Sequence, residues 1–215
     1  MTMTPEKYQA YLASGYNRIP VMREVMADFD TPLSAYLKLA SGPYSYLFES
    51  VYGGEKWGRY SIIGMPCKTV IKISGHTVNV FASGKVIASH EVADPLQWIE
   101  QYQQQIKVPV VDNLPRFSGG LVGYFGYDTV RYIEKKLQHC SKPDPLETPD
   151  ILLMVSDEVL VFDNLTGKIY LITHAQAETD NALEKAEERL DYLVSRLRNE
   201  TLRYPVKGSR VTVKE

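Results

Sequence analysis

The stretch YLFESVYGGEKWGRYSIIG, residues 46–64, sets a carboxylate (Glu49), hydroxyls (Ser50, Ser61), cations (Lys56, Arg59) and aromatic rings (Trp57, Tyr60) between apolar runs. A free amino acid needs an acceptor for its ammonium, donors for its carboxylate and an apolar wall for its side chain. Glu49, Ser50, Arg59 or Lys56, and Tyr60 supply all three. The same residues also suit an ordinary polar connection at a strand end beside a glycine turn.

Other chemistries find less support in the residue pattern. The four histidines, His76, His90, His139 and His174, are scattered, and none stands at metal-ligand spacing from a cysteine, a carboxylate or another histidine. No metal site is expected. The segment SGGLVGYFGYD, residues 118–128, is dense in glycine but has neither the G-x-G-x-x-G nor the G-x-x-x-x-G-K spacing of phosphate loops. Its glycines interleave with Leu121, Val122, Tyr124 and Phe125, which reads as a buried strand whose bare backbone lets a neighbouring layer approach. Hydrolase and kinase motifs are absent, which leaves those readings weak.

The chain of 215 residues is 44% hydrophobic and 23% charged with a net charge of −2, the balance of a globular protein with a sizeable core. Its basic residues are spread out, so no footprint for nucleic acid appears. The two cysteines, Cys67 and Cys140, lack CxxC spacing and fit a reducing compartment. The N-terminus has no apolar core of a signal peptide, and no run approaches the roughly 18 apolar residues of a membrane span. A cytoplasmic location without membrane contact is expected.

These residues must be positioned by helices and strands that the sequence punctuates clearly. Thr4-Pro5, Thr31-Pro32 and Asp94-Pro95 each pair an N-cap side chain with a proline suited to the first helical position. The expected inward stripes are Tyr8, Tyr11 and Leu12; Leu33, Tyr36, Leu37 and Ala40; and Leu96, Ile99, Tyr102 and Ile106. A fourth, longer helix starts near Thr179 or Asp180 and turns Leu183, Ala186, Leu190, Leu193, Val194 and Leu197 inward. YLF and YSIIG read as strands at the two ends of the polar stretch, with Gly53 and Gly54 turning the chain between them. Lys68 to Ser89 reads as an antiparallel meander, and ILLMV and VLVF lead through the turn DNLTGK into IYLIT as a second antiparallel block. Helices at the ends of antiparallel blocks argue for a layered α+β fold, with KPDPLETPD (142–150) as the longest loop.

Residues 46–64 also resemble the L-L-E-S and G-R-Y-S-F-I-G region of the anthranilate synthase component I family, with Phe48 where that family usually has a second leucine. PRFSGGLVGYFGYDTVRYIE (115–134) and PDILLMVSDEVLVFDNLTGKIYLITHA (149–175) are similar to the family's N-terminal region in the same order and spacing. The resemblance covers nearly the whole chain. It implies an α+β fold of layered antiparallel β-sheets with flanking helices, part of an α/β/β/α sandwich completed by a C-terminal region beyond this sequence. Residues 1–200 would form the N-terminal domain, and 201–215 would begin a linker to the absent chorismate-binding catalytic domain.

In that family a glutamine amidotransferase subunit (component II) releases ammonia, and component I adds it to chorismate with Mg²⁺ and eliminates pyruvate to give anthranilate, in tryptophan biosynthesis. Chorismate and Mg²⁺ are held by the C-terminal region, whose motifs do not occur here, so this fragment alone is expected to be inactive. The resemblance further implies that the N-terminal region contributes to the L-tryptophan feedback-inhibition site. Carried over residue by residue, that site takes Glu49 and Ser50 on one side and Arg59, Tyr60 and Ser61 on the other, leaving open whether Lys56 or Arg59 faces the effector. The same region of aminodeoxychorismate synthase component I, an isochorismate-using relative, or a stand-alone non-catalytic binding module are the alternatives. GGEKWGRYSIIG resembles the anthranilate branch better.

Overall fold

The computed structural model describes residues 3–49, 58–137 and 146–202. Ser50, Lys56, Trp57, the expected turn at Gly53 and Gly54, and part of the Pro-rich connection fall outside the described residues, as does the linker from 203 onward.

Three helices begin where their caps dictate: α1 (Pro5–Ala13), α2 (Pro32–Leu39) and α3 (Pro95–Gln104). Thr31 and Ser34 form a reciprocal capping box, and Asp94 Oδ1 accepts from the N–H groups of Leu96 and Gln97 at 2.9 and 3.1 Å. Each such cap contributes about 1 kcal/mol to its helix. The inward face of α2 is as expected at Tyr36 and Ala40 and differs at the leucines. Ala35 and Leu39 are buried, while Leu33 and Leu37 are exposed, because the small Ala35 lets α2 pack close to the C-terminal helix. A single-turn helix, α4 (Val130–Ile133), follows a 3₁₀ turn, and α5 (Ala182–Asn199) buries Ala182, Ala186, Leu190, Leu193 and Leu197 along one side.

The strands, in chain order, are β1 (Arg18–Met26), β2 (Tyr46–Phe48), β3 (Tyr60–Gly64), β4 (Thr69–Ser74) and β5 (Thr77–Ala82). They continue as β6 (Lys85–Glu91), β7 (Gly120–Phe125), β8 (Ile151–Ser156), β9 (Glu158–Asp163) and β10 (Lys168–Gln176). They form two antiparallel sheets, in the orders β1-β10-β9-β3-β2 and β6-β5-β4-β8-β7. Helices α1, α2 and α5 cover the outer face of the first sheet, and α3 covers the outer face of the second. The inner faces meet around Tyr46, Ile62, Val122, Met154 and Phe117. The result is a layered α+β fold, helix upon sheet upon sheet upon helix.

Strand β1 carries no clear alternation in sequence and contains Pro20, which an edge strand tolerates because half of its donors need no partner. The expected second block also divides. The turn DNLTGK closes β9 and β10 as a hairpin, but β8 belongs to the other sheet, and Asp157 alone lies between β8 and β9. The glycine-rich strand β7 is an edge, with Tyr124 and Phe125 exposed rather than buried. Its bare backbone serves the neighbouring strand, since a Cβ on Gly123 would collide with the Leu152 carbonyl.

Gly64 lies directly opposite Tyr46 in the β2–β3 ladder, and the Tyr46 ring crosses the space that a side chain would need. From there the Tyr46 hydroxyl reaches Ser156 Oγ at 2.8 Å, tying the edge of one sheet to the end of β8 in the other. Burial pushes this phenol up to about 12, so it remains a neutral hydrogen-bonding group. Gly64→Ala is expected to lower unfolding stability by about 2–4 kcal/mol through overpacking. Combining it with Tyr46→Ala should cost less than the two single changes summed, as read from denaturant midpoints.

Candidate functional site

Alternation along β3 divides the expected wall between two faces. Tyr60 and Ile62 pack with Val159, Val161 and Tyr170 on the inner face of the first sheet. Ser61 is buried on the helix-covered side, opposite Phe162, where its Oγ accepts from Asn164 Nδ2 at 3.3 Å. On β2, Leu47 packs with the helix-covered core, so continuing the alternation puts the exposed Glu49 on the side of Ser61. Arg59 and Tyr60 thus come together, Glu49 and Ser61 do not join them, and Ser50 lies outside the described residues.

Arg59 is held by two parallel hydrogen bonds. Its Nε and Nη2 donate to Asp163 Oδ1 and Oδ2 at 2.9 and 2.6 Å, and its guanidinium carbon lies 4.9 Å from the centre of the Tyr60 ring. Asp163 is itself buried, and its Oδ1 also accepts from the N–H groups of Leu165 and Thr166 as the β9–β10 turn begins. The turn grips β3 as well, because Asn164 N–H donates to the Arg59 carbonyl at 2.8 Å. The Arg59 hydrogen bonds, aided by those from Thr166 and Leu165 and opposed by burial, hold the Asp163 carboxyl down at about 2.

Across the sheet, Asp163 stands directly between Tyr60 on β3 and Lys168 on β10. Lys168 Nζ pairs with Glu24 Oε1 at 2.7 Å, and Glu24 faces Tyr170 in register. A cleft of about 420 Å³ lies over these groups, walled also by Met22 and Leu114. Glu24 can accept from an ammonium, Arg59 and Lys168 can donate to a carboxylate, and Tyr60, Tyr170, Met22 and Leu114 offer apolar surface. Each charge already has a partner of opposite sign. The cleft therefore presents both signs at fixed positions without a net charge, which suits a zwitterion better than a simple ion.

Sequence reasoning did not reach Glu24, Asp163, Lys168 or Tyr170. Asp163 was legible only as the first residue of a turn, and its partner Arg59, just before β3, is 104 positions away. Glu24 stands beside Arg23 in an otherwise apolar run and Lys168 opens β10 straight after the turn, which signals a charged pair only once β1 is known to lie beside β10.

Among the described residues, no group of three or more His, Cys, Asp or Glu side chains is placed to hold a metal ion. The Mg²⁺ that the resemblance implies has no matching donor set among the described residues. No helix among the described residues is long and apolar enough to cross a membrane. Burial pushes the Cys67 thiol up to about 11, which keeps it from acting as a thiolate nucleophile near neutral pH.

Comparison with known proteins places this geometry in context. The family model for chorismate binding enzymes matches residues 48–213. The chain is 57% identical over 196 residues to anthranilate synthase component 1 of Pseudomonas aeruginosa, covering 91% of this chain and 40% of that protein. It is 52% identical over 208 residues to the Pseudomonas putida protein of the same name, covering 97% of this chain and 41% of the other. A crystal structure of anthranilate synthase component I from Streptococcus pneumoniae superimposes with a TM-score of 0.52 at 26% identity, covering 84% of this chain and 37% of that one. The chain thus spans about two fifths of the length of the curated relatives it matches.

Replacing Asp163 by Asn leaves Arg59 without its carboxylate and is expected to cost about 1–3 kcal/mol of stability at pH 7. Because the folded-state value is depressed, the carboxylate's contribution is complete above the unfolded value of about 4 and fades as pH falls toward 2. The gap between parent and Asp163→Asn should therefore close over that interval in chemical denaturation measured against pH. A gap independent of pH would contradict the ion-pair account.

Proposed function

The chain belongs to the chorismate-binding enzyme family, and from that premise we propose that it is the regulatory N-terminal part of an anthranilate synthase component I. The complete protein would convert chorismate and ammonia, delivered by a glutamine amidotransferase subunit, into anthranilate and pyruvate, with Mg²⁺ bound outside the residues described. It would work in the cytoplasm, in tryptophan biosynthesis. This part would supply one side of the L-tryptophan feedback site.

The observation that carries the reading is the Arg59–Asp163 pair set beside Tyr60 and Tyr170, in a cleft that also holds the Glu24–Lys168 pair. L-Tryptophan combines an ammonium, a carboxylate and a large apolar ring, and each has a counterpart there. Arg59 is the cation that faces the effector, oriented by Asp163. Ser50 would complete the pocket, whereas Glu49 and Ser61, on the other side of the sheet, would act from behind Tyr60, Ser61 by holding Asn164 and the turn. Inhibition then follows from linkage: tryptophan can bias the protein only by its difference in affinity between active and inactive arrangements.

In a complete component I, Ser50→Phe and Tyr60→Ala should each raise the half-inhibitory concentration of L-tryptophan by about tenfold or more, equivalent to roughly 1.4 kcal/mol of lost coupling. Inhibition unchanged in both variants would overturn the assignment. The 215-residue chain alone, supplied with chorismate, ammonia and Mg²⁺, should give no anthranilate fluorescence above a control without protein. Product above that control would place catalytic groups within it.

A further inference from the structure

Beyond the other end of β3 from Arg59 lies a second cleft, of about 460 Å³, between the loop that follows β3, the β8–β9 link and the first turns of α5. Its size falls within the ~300–1,000 Å³ usual for small-molecule sites. Ala182 and Ala186, one turn apart on α5, form a wall that leaves this space open.

The charges around it are arranged unevenly. Asp157, the link between the sheets, lies within the cleft, and the one hydrogen bond to its carboxylate among the described residues comes from Gln176 Nε2 at 3.5 Å, the limit of such a bond. Beside it His174 bonds through Nδ1 to the Asp157 carbonyl at 2.9 Å; a carbonyl only accepts, so Nδ1 carries the proton and Nε2 is left as an acceptor. Burial raises the Asp157 carboxyl and lowers the His174 imidazole, which keeps the ring neutral.

Lys68 on the loop and Lys185 on α5 also border the cleft, and neither has a carboxylate within ion-pair distance among the described residues. The other charged groups that line the cleft, Arg189 and Glu158, satisfy each other through two bonds of 2.8 Å, and Arg18, whose charge also acts on Asp157, is paired with Glu178 at 2.8 Å. What is left for a ligand is one poorly solvated acid, on which Lys68 and Arg18 act only from beyond ion-pair distance, and the Lys68 and Lys185 ammonium groups, which form no ion pair among the described residues.

We propose that this cleft is a second ligand site, which takes a small zwitterion such as an α-amino acid with a short side chain. The ligand's ammonium meets Asp157, with Gln176 and the His174 Nε2 acceptor beside it, and its carboxylate meets Lys68 and Lys185. A simple anion would be repelled by Asp157 and a simple cation by the two lysines, whereas a molecule carrying both charges relieves both. The site is separate from the cleft at Arg59 and stands or falls independently of tryptophan binding there.

A ¹H–¹⁵N NMR titration of the chain with L-alanine tests it, with ethylamine and acetate as probes carrying one charge each. L-Alanine should give saturable shifts at the Thr173, Gln176 and Lys185 amides, with an affinity at least about tenfold above that of either single-charge probe. Asp157→Asn should weaken L-alanine binding by about tenfold. Lys185→Met, on an exposed helix position where folding is not at stake, should weaken it severalfold and so decides the matter if Asp157→Asn does not fold. The proposal is overturned if L-alanine gives no saturable shift, if acetate or ethylamine binds as well, or if Lys185→Met leaves the affinity unchanged.

Discussion

The paired hydrogen bonds from Arg59 to Asp163 join residues 104 positions apart and fasten the start of β3 to the turn between β9 and β10. Strand β9 lies between β3 and β10 in its sheet, so the clasp acts where the sheet is assembled rather than at a loose edge. Its strength comes from geometry. The guanidinium fork meets both carboxylate oxygens, the buried Asp163 also takes bonds from the turn backbone, and the Arg59 carbonyl accepts from Asn164. A charge held in this way is pre-organised, so a ligand meeting it need not order a long side chain first.

The connection between the sheets depends on a few residues with little tolerance. Strands β8 and β9 lie in different sheets, with only Asp157 between them, and the Tyr46 hydroxyl bridges to Ser156 just before the crossing. Gly64 exists to admit the Tyr46 ring. Because β2 carries both Tyr46 and the residues leading to Glu49, the polar stretch at 46–64 is anchored at one end to the second sheet and at the other to the β9–β10 turn. Two clefts of similar size flank this construction, one at each end of β3, and they differ in their chemistry: the first has its charges paired, whereas in the second an acid and two lysines form no ion pair among the described residues.

Local rules were legible wherever one residue's chemistry decides the outcome. Thr4, Thr31 and Asp94 with their prolines marked the helix starts, the short glycine turns marked the meander from β4 to β6, and YLF and YSIIG marked β2 and β3. What could not be read was set by pairing at long range. The phase of α2 follows from its approach to α5, so Ala35 and Leu39 turn inward in place of Leu33 and Leu37. The identity of β1, the exposure of β7 and the separation of β8 from β9 all depend on sheet order, which periodicity does not encode. The site divides in the same way: Arg59 and Tyr60 stood out by type, whereas Asp163, Glu24 and Lys168 join them only across strand ladders.

The central claim is that an aromatic amino acid lies over the inner face of the first sheet against Tyr60 and Tyr170, with Arg59 at its carboxylate. Transferred NOE measurements on the chain with excess L-tryptophan test this most directly, since they report proximity even when binding is weak. The account predicts magnetisation transfer between the indole protons and the rings of Tyr60 and Tyr170, lost on replacing Arg59 by Gln. Transfer to protons elsewhere in the chain, or none at any ligand excess, would contradict it.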